Sequence, residues 1–304
     1  MKTKDRDINS YVAIIDSFID RAAMPSKEAE LIKKELHTYI QNKFSKNKWV
    51  HPEITKFCTD WYQEFYRLIG GKDHYQELKE RSNEMAERVA KELNVSGWPE
   101  SLACSILGNK LDYGAALVHQ CDLEQIEKEF TNLKEFKLDV DDTALLQKKL
   151  GAAKKVLFLV DNCGEIIFDT FLLKMIAERV GKENILIMAK ESPMLNDATI
   201  EDLRKWGLGK YGQIVSTGSN CFGLHTEDVS EKCKQMLKEA DLIIAKGQAY
   251  MEFFTEYNFD NVINILIVKY PIVNPAFGTL PYGHKVVMAS ERYAMFGKKY
   301  FLVD

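Results

Sequence analysis

The stretch KKVLFLVDNCGEIIFD, residues 154–169, is where the grammar of the chain changes. Its apolar, β-branched run KVLFLV stops at Asp161-Asn162. A helical pattern then runs over 165–180, with Ile166, Phe168, Leu172, Met175 and Ile176 at its apolar positions. A short, wholly apolar run that feeds an amphipathic segment reads as a buried strand followed by a helix. The alternation continues with NILIMA (184–189), a helix near 199–206, QIVS (213–216), a helix near 226–239, DLIIAKG (241–247), VINILIV (262–268) and KVVMA (285–289). Buried strands alternating with helices predict an α/β fold: a Rossmann-like, mostly parallel sheet with helices on both faces.

Upstream of that stretch the chain reads as helices. EAELIKKELHTYIQNKF (28–44) carries Leu31, Ile32, Leu36 and Ile40 along one stripe. ITKFCTDWYQEFYRLIGG (54–71) sets Phe57, Trp61, Phe65 and Leu68 on one face and ends in glycines, a usual helix stop. YVAIIDSFIDRAA (11–23) and HYQELKERSNEMAERVAKELN (74–94) are also amphipathic. The expected organisation is a helical region over 1–150 and an α/β region over 151–304. No Ser/Gly-rich linker separates them, so they are expected to pack together.

Composition narrows the function classes. Of 304 residues, 46% are hydrophobic and 28% charged, the formal net charge is −4, and the pI is about 6.0. These values exclude a polyanion-binding surface, so nucleic acid is not an expected partner. No apolar run approaches the roughly 20 residues that span a bilayer, and the opening MKTKDRDINSYVAIID lacks a signal peptide's apolar stretch. No membrane partner and a cytoplasmic location are the expectations. Six cysteines without a C-x-x-C pair predict reduced thiols rather than a zinc site or a disulfide framework. Sequence leaves the oligomeric state open.

In mostly parallel sheets, ligands bind outside the carboxyl ends of the strands. The segments there are Asp161-Asn162, KESPMLND (190–197), TGSNCFG (217–223), KGQAYME (246–252) and KYPIVN (269–274), all rich in polar groups or glycine. Together they suggest one composite site. Asp161-Asn162 supplies hard oxygen ligands that suit Mg²⁺, Mn²⁺ and related ions. Glu165 and Asp169 fall on one helix face at i and i+4. Several carboxylates facing one way repel one another, and a cation relieves that. Helix capping by Asp161 is the competing reading. Asp197, on the next strand-end loop, is itself a natural N-cap, yet it offers the third oxygen ligand of a facial set.

Three other patterns dissolve on inspection. GLGKYG (207–212) matches G-x-G-x-x-G but follows a helix and precedes a strand, the reverse of the dinucleotide-binding context. DVDDT (139–143) matches the D-x-D-x-T of haloacid-dehalogenase-type phosphatases, but the polar TNLKEFKL precedes it where a buried strand should be. An acidic loop with Asp142 or Thr143 capping the next helix is the favoured reading. Phe57, Trp61, Tyr62, Phe65 and Tyr66 could stack nucleobases, but their helical spacing without interleaved basic residues favours core packing. His119, His225 and His284 lack ligand spacing, and Cys163 sits among acidic neighbours that make it a poor nucleophile.

Four segments in order, GNKLDYG (108–114), DNCGEIIFD (161–169), NDAT (196–199) and KGQ (246–248), resemble the DUF89 family of metal-dependent damage-control phosphatases, related to the proteins named acidic residue methyltransferase 1. The likeness runs from about residue 95 to 290. It implies a helical amino-terminal region on a Rossmann-like domain. It also implies a divalent metal (Mn, Co, Ni or Mg) held by Asp161, Asn162 and Asp197. Lys246 and Lys269 match phosphate-facing positions, and Asn109 and Asp112 match a segment reaching the site from the helical region. Gly218 and Ser219 are expected to offer backbone N–H groups to phosphate or sugar. Glu165 or Asp169 would orient a water as general base, or support the ligands. The chain lacks the cysteine pair of many prokaryotic members near the start, and its K-G-Q-A-Y-M-E replaces K-G-Q-G-N-x-E. The resulting Asn-to-Tyr change at Tyr250 bears on substrate preference.

The implied activity is hydrolysis of small phosphorylated metabolites such as sugar phosphates. An S-adenosylmethionine-dependent carboxyl methyltransferase is one alternative, although no glycine-rich loop follows the first strand. A non-catalytic sensor of sugar phosphates or nucleotides is another.

Overall fold

A computed structural model of the chain describes residues 8–22, 24–47, 54–113 and 121–294. Gly114 and His119 lie outside these residues. The first half is helical: α1 (Ile8–Arg21), α2 (Ser26–Asn47), α3 (Ile54–Leu68), α4 (Gln76–Glu92), α5 (Trp98–Gly108) and α6 (Leu123–Glu129). Ile32, Leu36 and Ile40 of α2 pack on Phe57, Trp61, Tyr62 and Phe65 of α3 in one buried cluster, so the aromatic set is core and not a stacking platform. Leu31 departs from the expected stripe. It is 64% exposed, because Ile32 takes the inward position and one residue turns the helix by about 100°.

The second half alternates as expected. Its elements are β1 (Val140–Asp141), α7 (Thr143–Ala152), β2 (Val156–Leu159), α8 (Glu165–Val180), β3 (Ile185–Ala189), α9 (Ile200–Lys205), β4 (Gln213–Ser216), α10 (Glu231–Glu239), β5 (Leu242–Lys246), α11 (Gln248–Glu256), β6 (Val262–Ile267), β7 (Ile272–Asn274), β8 (Gly278–Leu280) and β9 (Lys285–Ala289). The main sheet has the order β1-β9-β6-β5-β2-β3-β4. From β6 to β4 it is parallel, while β9 runs antiparallel to β6. Strands β7 and β8 form a separate antiparallel pair in the segment after Lys269.

Both faces of the sheet are covered, which explains the unbroken apolar strands. Val156 and Phe158 of β2 pack with Leu102 and Ile106 of α5 and Ile166 and Leu172 of α8. Leu157 and Leu159 point the other way, onto Leu237 of α10 and Met251 and Phe253 of α11. Each such side chain contributes about 1.5–3 kcal/mol by leaving water.

The DVDDT segment differs from its expectation. Val140 and Asp141 form an edge strand paired in parallel with β9, although the residues before it are polar. Asp142 makes no capping bond to α7. Its carboxylate accepts from the Ala289 N–H at 2.9 Å and from Nε and Nη2 of Arg292 at 2.7 and 2.6 Å. The antiparallel course of β9 puts this end of β1 at the opposite edge of the sheet from the loops after β2, β3 and β5.

Register sets up the site. Leu159 pairs with Met188 of β3 and with Ala245 of β5. The strands therefore end level, and Asp161, Lys190 and Gly247 emerge at one edge.

Candidate active site

The loops after β2 and β3 are tied together by their backbones. The Ala198 N–H donates to the Asp161 carbonyl at 2.8 Å, and the Cys163 N–H to the Asn196 carbonyl at 2.9 Å. Asn162 and Asp197 form a β-bridge between these bonds. Asp161, Asn162 and Asp197 are thus brought together.

Their oxygens are unequally used. Asp161 Oδ2 accepts from Asn109 Nδ2 at 3.0 Å and from Asn162 Nδ2 at 2.8 Å, and the Lys269 ammonium lies 3.8 Å away. Among the described residues no donor reaches Asp161 Oδ1, and none bonds the Asp197 carboxylate, whose nearest cation is Lys190 at 3.8 Å. Asn162 Oδ1 accepts one bond, from Asn196 Nδ2 at 3.0 Å, and keeps a second lone pair. Gly247 makes the space for Asp161. A Cβ there would sit 1.9 Å from Asp161 Oδ2, and its φ of +83° already favours glycine.

Burial dominates the electrostatics. It pushes the Asp161 carboxyl well above the ordinary range, and Glu165 and Asp197 add to this against the opposing pull of Lys269. Asp197 is pushed up to about 7, first by burial, with Lys190 pulling the other way. Among the described residues no three His, Cys, Asp or Glu side chains converge as a ready cage. Two carboxylates and one amide oxygen with open lone pairs are instead a small, hard donor set. They fit a divalent cation that keeps some positions for water.

Behind this layer lies one whose polar groups mostly bond to each other, although the buried Asp169 Oδ2 has no hydrogen-bond partner among the described residues. Glu165, Asp169 and Lys246 are fully buried. Lys246 Nζ donates to the Ser105 carbonyl at 2.8 Å and to Glu165 Oε1 at 2.6 Å, and lies 2.9 Å from Asp169 Oδ1, so its three protons have protein acceptors. Glu165 Oε2 accepts from Asn109 Nδ2 and Asn162 Nδ2, each at 2.9 Å, and from the Asn162 N–H at 3.3 Å. Asp169 Oδ1 also accepts from Ser105 Oγ at 2.6 Å. Burial raises the Asp169 carboxyl to about 6 despite Lys246. Asn109, the C-cap of α5, is committed as well, since its Oδ1 accepts from the Ile267 N–H at 3.0 Å.

The front of the site holds two buried lysines. Lys269 donates to Asp112, which binds the α5 end to the strand-end loop after β6. Lys190, the first residue past β3, was not among the expected site residues. Its ammonium donates to the Cys221 carbonyl and stands 4.9 Å above the centre of the Tyr250 ring. Its signal was positional: it occupies a strand-end slot one strand over from Asp161.

Gly218 and Ser219 are not brought into this arrangement. The Gly218 N–H donates to Ser216 Oγ at 2.8 Å and the Ser219 N–H to Thr217 Oγ1 at 3.3 Å, so the loop amides are spent within the loop. Cys163 is fully buried and its thiol is pushed well above normal, chiefly by burial.

The helical region holds the ligand loops in shape. Asn83 Oδ1 of α4 accepts from the Gly164 N–H at 2.5 Å. The Asn196 amide donates to the Leu111 carbonyl at 3.0 Å and accepts from the Tyr113 N–H at 3.2 Å. Tyr62 Oη of α3 accepts from the Leu195 N–H at 2.9 Å. Leu195, two residues before Asp197, has φ +49°, the only positive φ at a non-glycine among the described residues.

The chain is similar to known proteins over most of its length. The family model described as the damage-control phosphatase ARMT1-like domain matches residues 9–279. A damage-control phosphatase of Pyrococcus horikoshii is 33% identical over 216 residues, covering 70% of this chain and 73% of that protein. A damage-control phosphatase of Archaeoglobus fulgidus is 32% identical over 230 residues, covering 72% and 76%. The crystal structure of a DUF89 family protein from P. horikoshii superposes with a TM-score of 0.79 at 28% identity, covering 95% of this chain and 99% of that one. The chain belongs to the damage-control phosphatase family built on the ARMT1-like domain, DUF89.

Proposed function

We propose that this protein is a divalent-metal-dependent phosphatase acting on phosphate monoesters of small metabolites, sugar phosphates among them. One observation carries the reading. The open oxygens of Asp161 and Asp197 are flanked by two buried ammonium groups, Lys269 and Lys190, each 3.8 Å from one carboxylate. Carboxylates alone would repel a phosphate dianion, and lysines alone would not need them.

Asp161, Asn162 and Asp197 would hold the cation, which when bound supplies Lewis acidity toward a phosphoryl oxygen and a water of lowered pKa. Lys269 offsets charge on the transferring group. Glu165, Asp169 and Lys246 act behind the ligands. Glu165 fixes Asn109 and Asn162, and through them Asp161, while Lys246 and Asp169 hold Glu165 in place from behind. Gly218 and Ser219, whose amides bond within their own loop, take no part in this reading.

The test is to strip the protein with chelator and assay a generic aryl phosphate with Mg²⁺, Mn²⁺, Co²⁺ and Ni²⁺ in turn, alongside Asp161→Ala. Activity is expected only with added metal and is expected to vanish in the variant. Metal-independent hydrolysis, or hydrolysis surviving Asp161→Ala, overturns the reading.

A further inference from the structure

Tyr250 lies in the first turn of α11, is 2% exposed, and its hydroxyl has no hydrogen-bond partner among the described residues. A buried phenol without a partner costs about 1–3 kcal/mol, so its retention needs a reason. Two observations supply one. The Lys190 ammonium rests over its ring at 4.9 Å, and the same ammonium stands 3.8 Å from the Asp197 carboxylate. Of the three Lys190 protons, one goes to the Cys221 carbonyl, and among the described residues no other hydrogen-bond acceptor is in range. The phenol is also within electrostatic reach of Asp197 and Asp161, and burial keeps it protonated. A buried, unpartnered O–H and a buried ammonium with protons to spare therefore belong to side chains in contact, the ammonium 3.8 Å from the Asp197 carboxylate.

We propose that Lys190 and Tyr250 form an oxyanion subsite on the Asp197 side of the candidate metal ligands, where the Tyr250 O–H and the Lys190 ammonium donate to oxygens of the substrate's phosphoryl dianion. This rests on the phosphatase reading for its substrate, and it assigns the phosphate a second cationic wall opposite Lys269. The geometry explains why Lys190 stops 3.8 Å from Asp197 instead of closing a short ion pair. Its remaining protons are held for a ligand, while the Tyr250 ring shields the ammonium and contributes a cation–π attraction.

The test uses inorganic phosphate as the probe, bound to Mn²⁺-loaded wild-type protein, Tyr250→Phe and Lys190→Gln, with affinity read by calorimetry and the thermal midpoint recorded without phosphate. Tyr250→Phe removes only the unpartnered oxygen, so its midpoint without phosphate should be equal to or above wild type. Its phosphate dissociation constant should rise about tenfold, the effect of losing one hydrogen bond to a charged group. Lys190→Gln should weaken phosphate binding further. Unchanged phosphate affinity in Tyr250→Phe, or a wild-type protein that binds no phosphate, overturns the subsite. Ester hydrolysis by wild type is scored separately. If wild type hydrolyses esters while Tyr250→Phe binds phosphate normally, the subsite falls and the phosphatase reading stands. If wild type binds phosphate through these residues but hydrolyses nothing, the reverse holds.

Discussion

The Lys246 ammonium lies 2.6 Å from the Glu165 carboxylate, and neither side chain is exposed. This pair, with Asp169 at 2.9 Å from the same nitrogen, ties the end of β5 to α8, and the Ser105 carbonyl of α5, 2.8 Å from that nitrogen, joins the helical region to them. Replacing Lys246 with Met leaves two buried carboxylates facing each other without a cation. Removing one partner of a buried pair costs about 3–5 kcal/mol. Urea unfolding of Lys246→Met should show a loss of that order. A loss under 1 kcal/mol would mean that the carboxylates find protons or other partners at no cost.

Gly247 is the next residue, and the site depends on its missing side chain. A Cβ would meet Asp161 Oδ2 at 1.9 Å and Cγ at 2.3 Å, and φ is +83°. Gly247→Ala must therefore displace the Asp161 carboxylate or the backbone of α11's first turn. A misplacement of about 1 Å at a reacting centre can cost on the order of 100-fold in rate. We expect a fall of that size in metal-dependent aryl phosphate hydrolysis, with the far-UV spectrum retained. Near wild-type turnover in this variant would remove Asp161 from the centre of the mechanism.

How much of this was legible beforehand follows from what each residue's signal depends on. Asp161 and Asn162 directly follow an apolar run, so periodicity put them at a strand end; Asp197 lies eight residues past Ala189, and its grouping with them came from the next strand-end loop and the family resemblance. The strand QIVS and the strand KVVMA are the β4 and β9 of the structure, because their apolar runs are bounded by turn residues. The partition of the lysines was not legible. Lys246 and Lys190 both sit at strand ends, and only three-dimensional bookkeeping shows that Lys246 has spent its protons on Glu165, Asp169 and Ser105 while Lys190 has not. The amides of Gly218 and Ser219 pose the same problem, since their acceptors are the neighbouring hydroxyls. Strand β1 escaped for a different reason. It is two residues long on an edge, where burial is slight and no apolar run is required.

Tyr62 shows how the helical region reaches the site without touching a ligand. Its hydroxyl accepts from the N–H of Leu195 at 2.9 Å, and Leu195 is held at φ +49°. A left-handed backbone at a leucine costs about 1–2 kcal/mol and persists only while its surroundings enforce it. Tyr62→Phe keeps the aromatic packing and removes the acceptor. It should cost about 1–2 kcal/mol of stability and weaken Mn²⁺ binding, because Asp197 lies two residues on. Calorimetric titration of Mn²⁺ checks this. Unchanged metal affinity would show that the Asn162–Asp197 bridge alone sets the loop.

His225 gives the expected dependence on pH away from the metal ligands. It is 1% exposed, its Nε2 is 2.9 Å from Thr55 Oγ1 of α3, and its ring meets Phe253 of α11 edge-on at 5.3 Å. Burial lowers its pKa below the usual 6.5, against the upward pull of Glu227, Asp228 and Asp60 and with a smaller downward push from Lys56. Above pH 6.5 the imidazole is neutral in both folded and unfolded chains, and no stability depends on it. As pH falls through 6.5, the unfolded chain gains a proton that the folded one refuses, so the unfolded state is favoured and stability is lost. The loss stops growing only below the folded pKa. His225→Gln retains a polar group for Thr55 without a titrating ring. Urea midpoints compared at pH 7.5 and 5.5 should therefore fall less in His225→Gln than in wild type. Equal falls in the two proteins would mean that the ring takes up its proton in place, with Glu227 and Asp228 offsetting its burial.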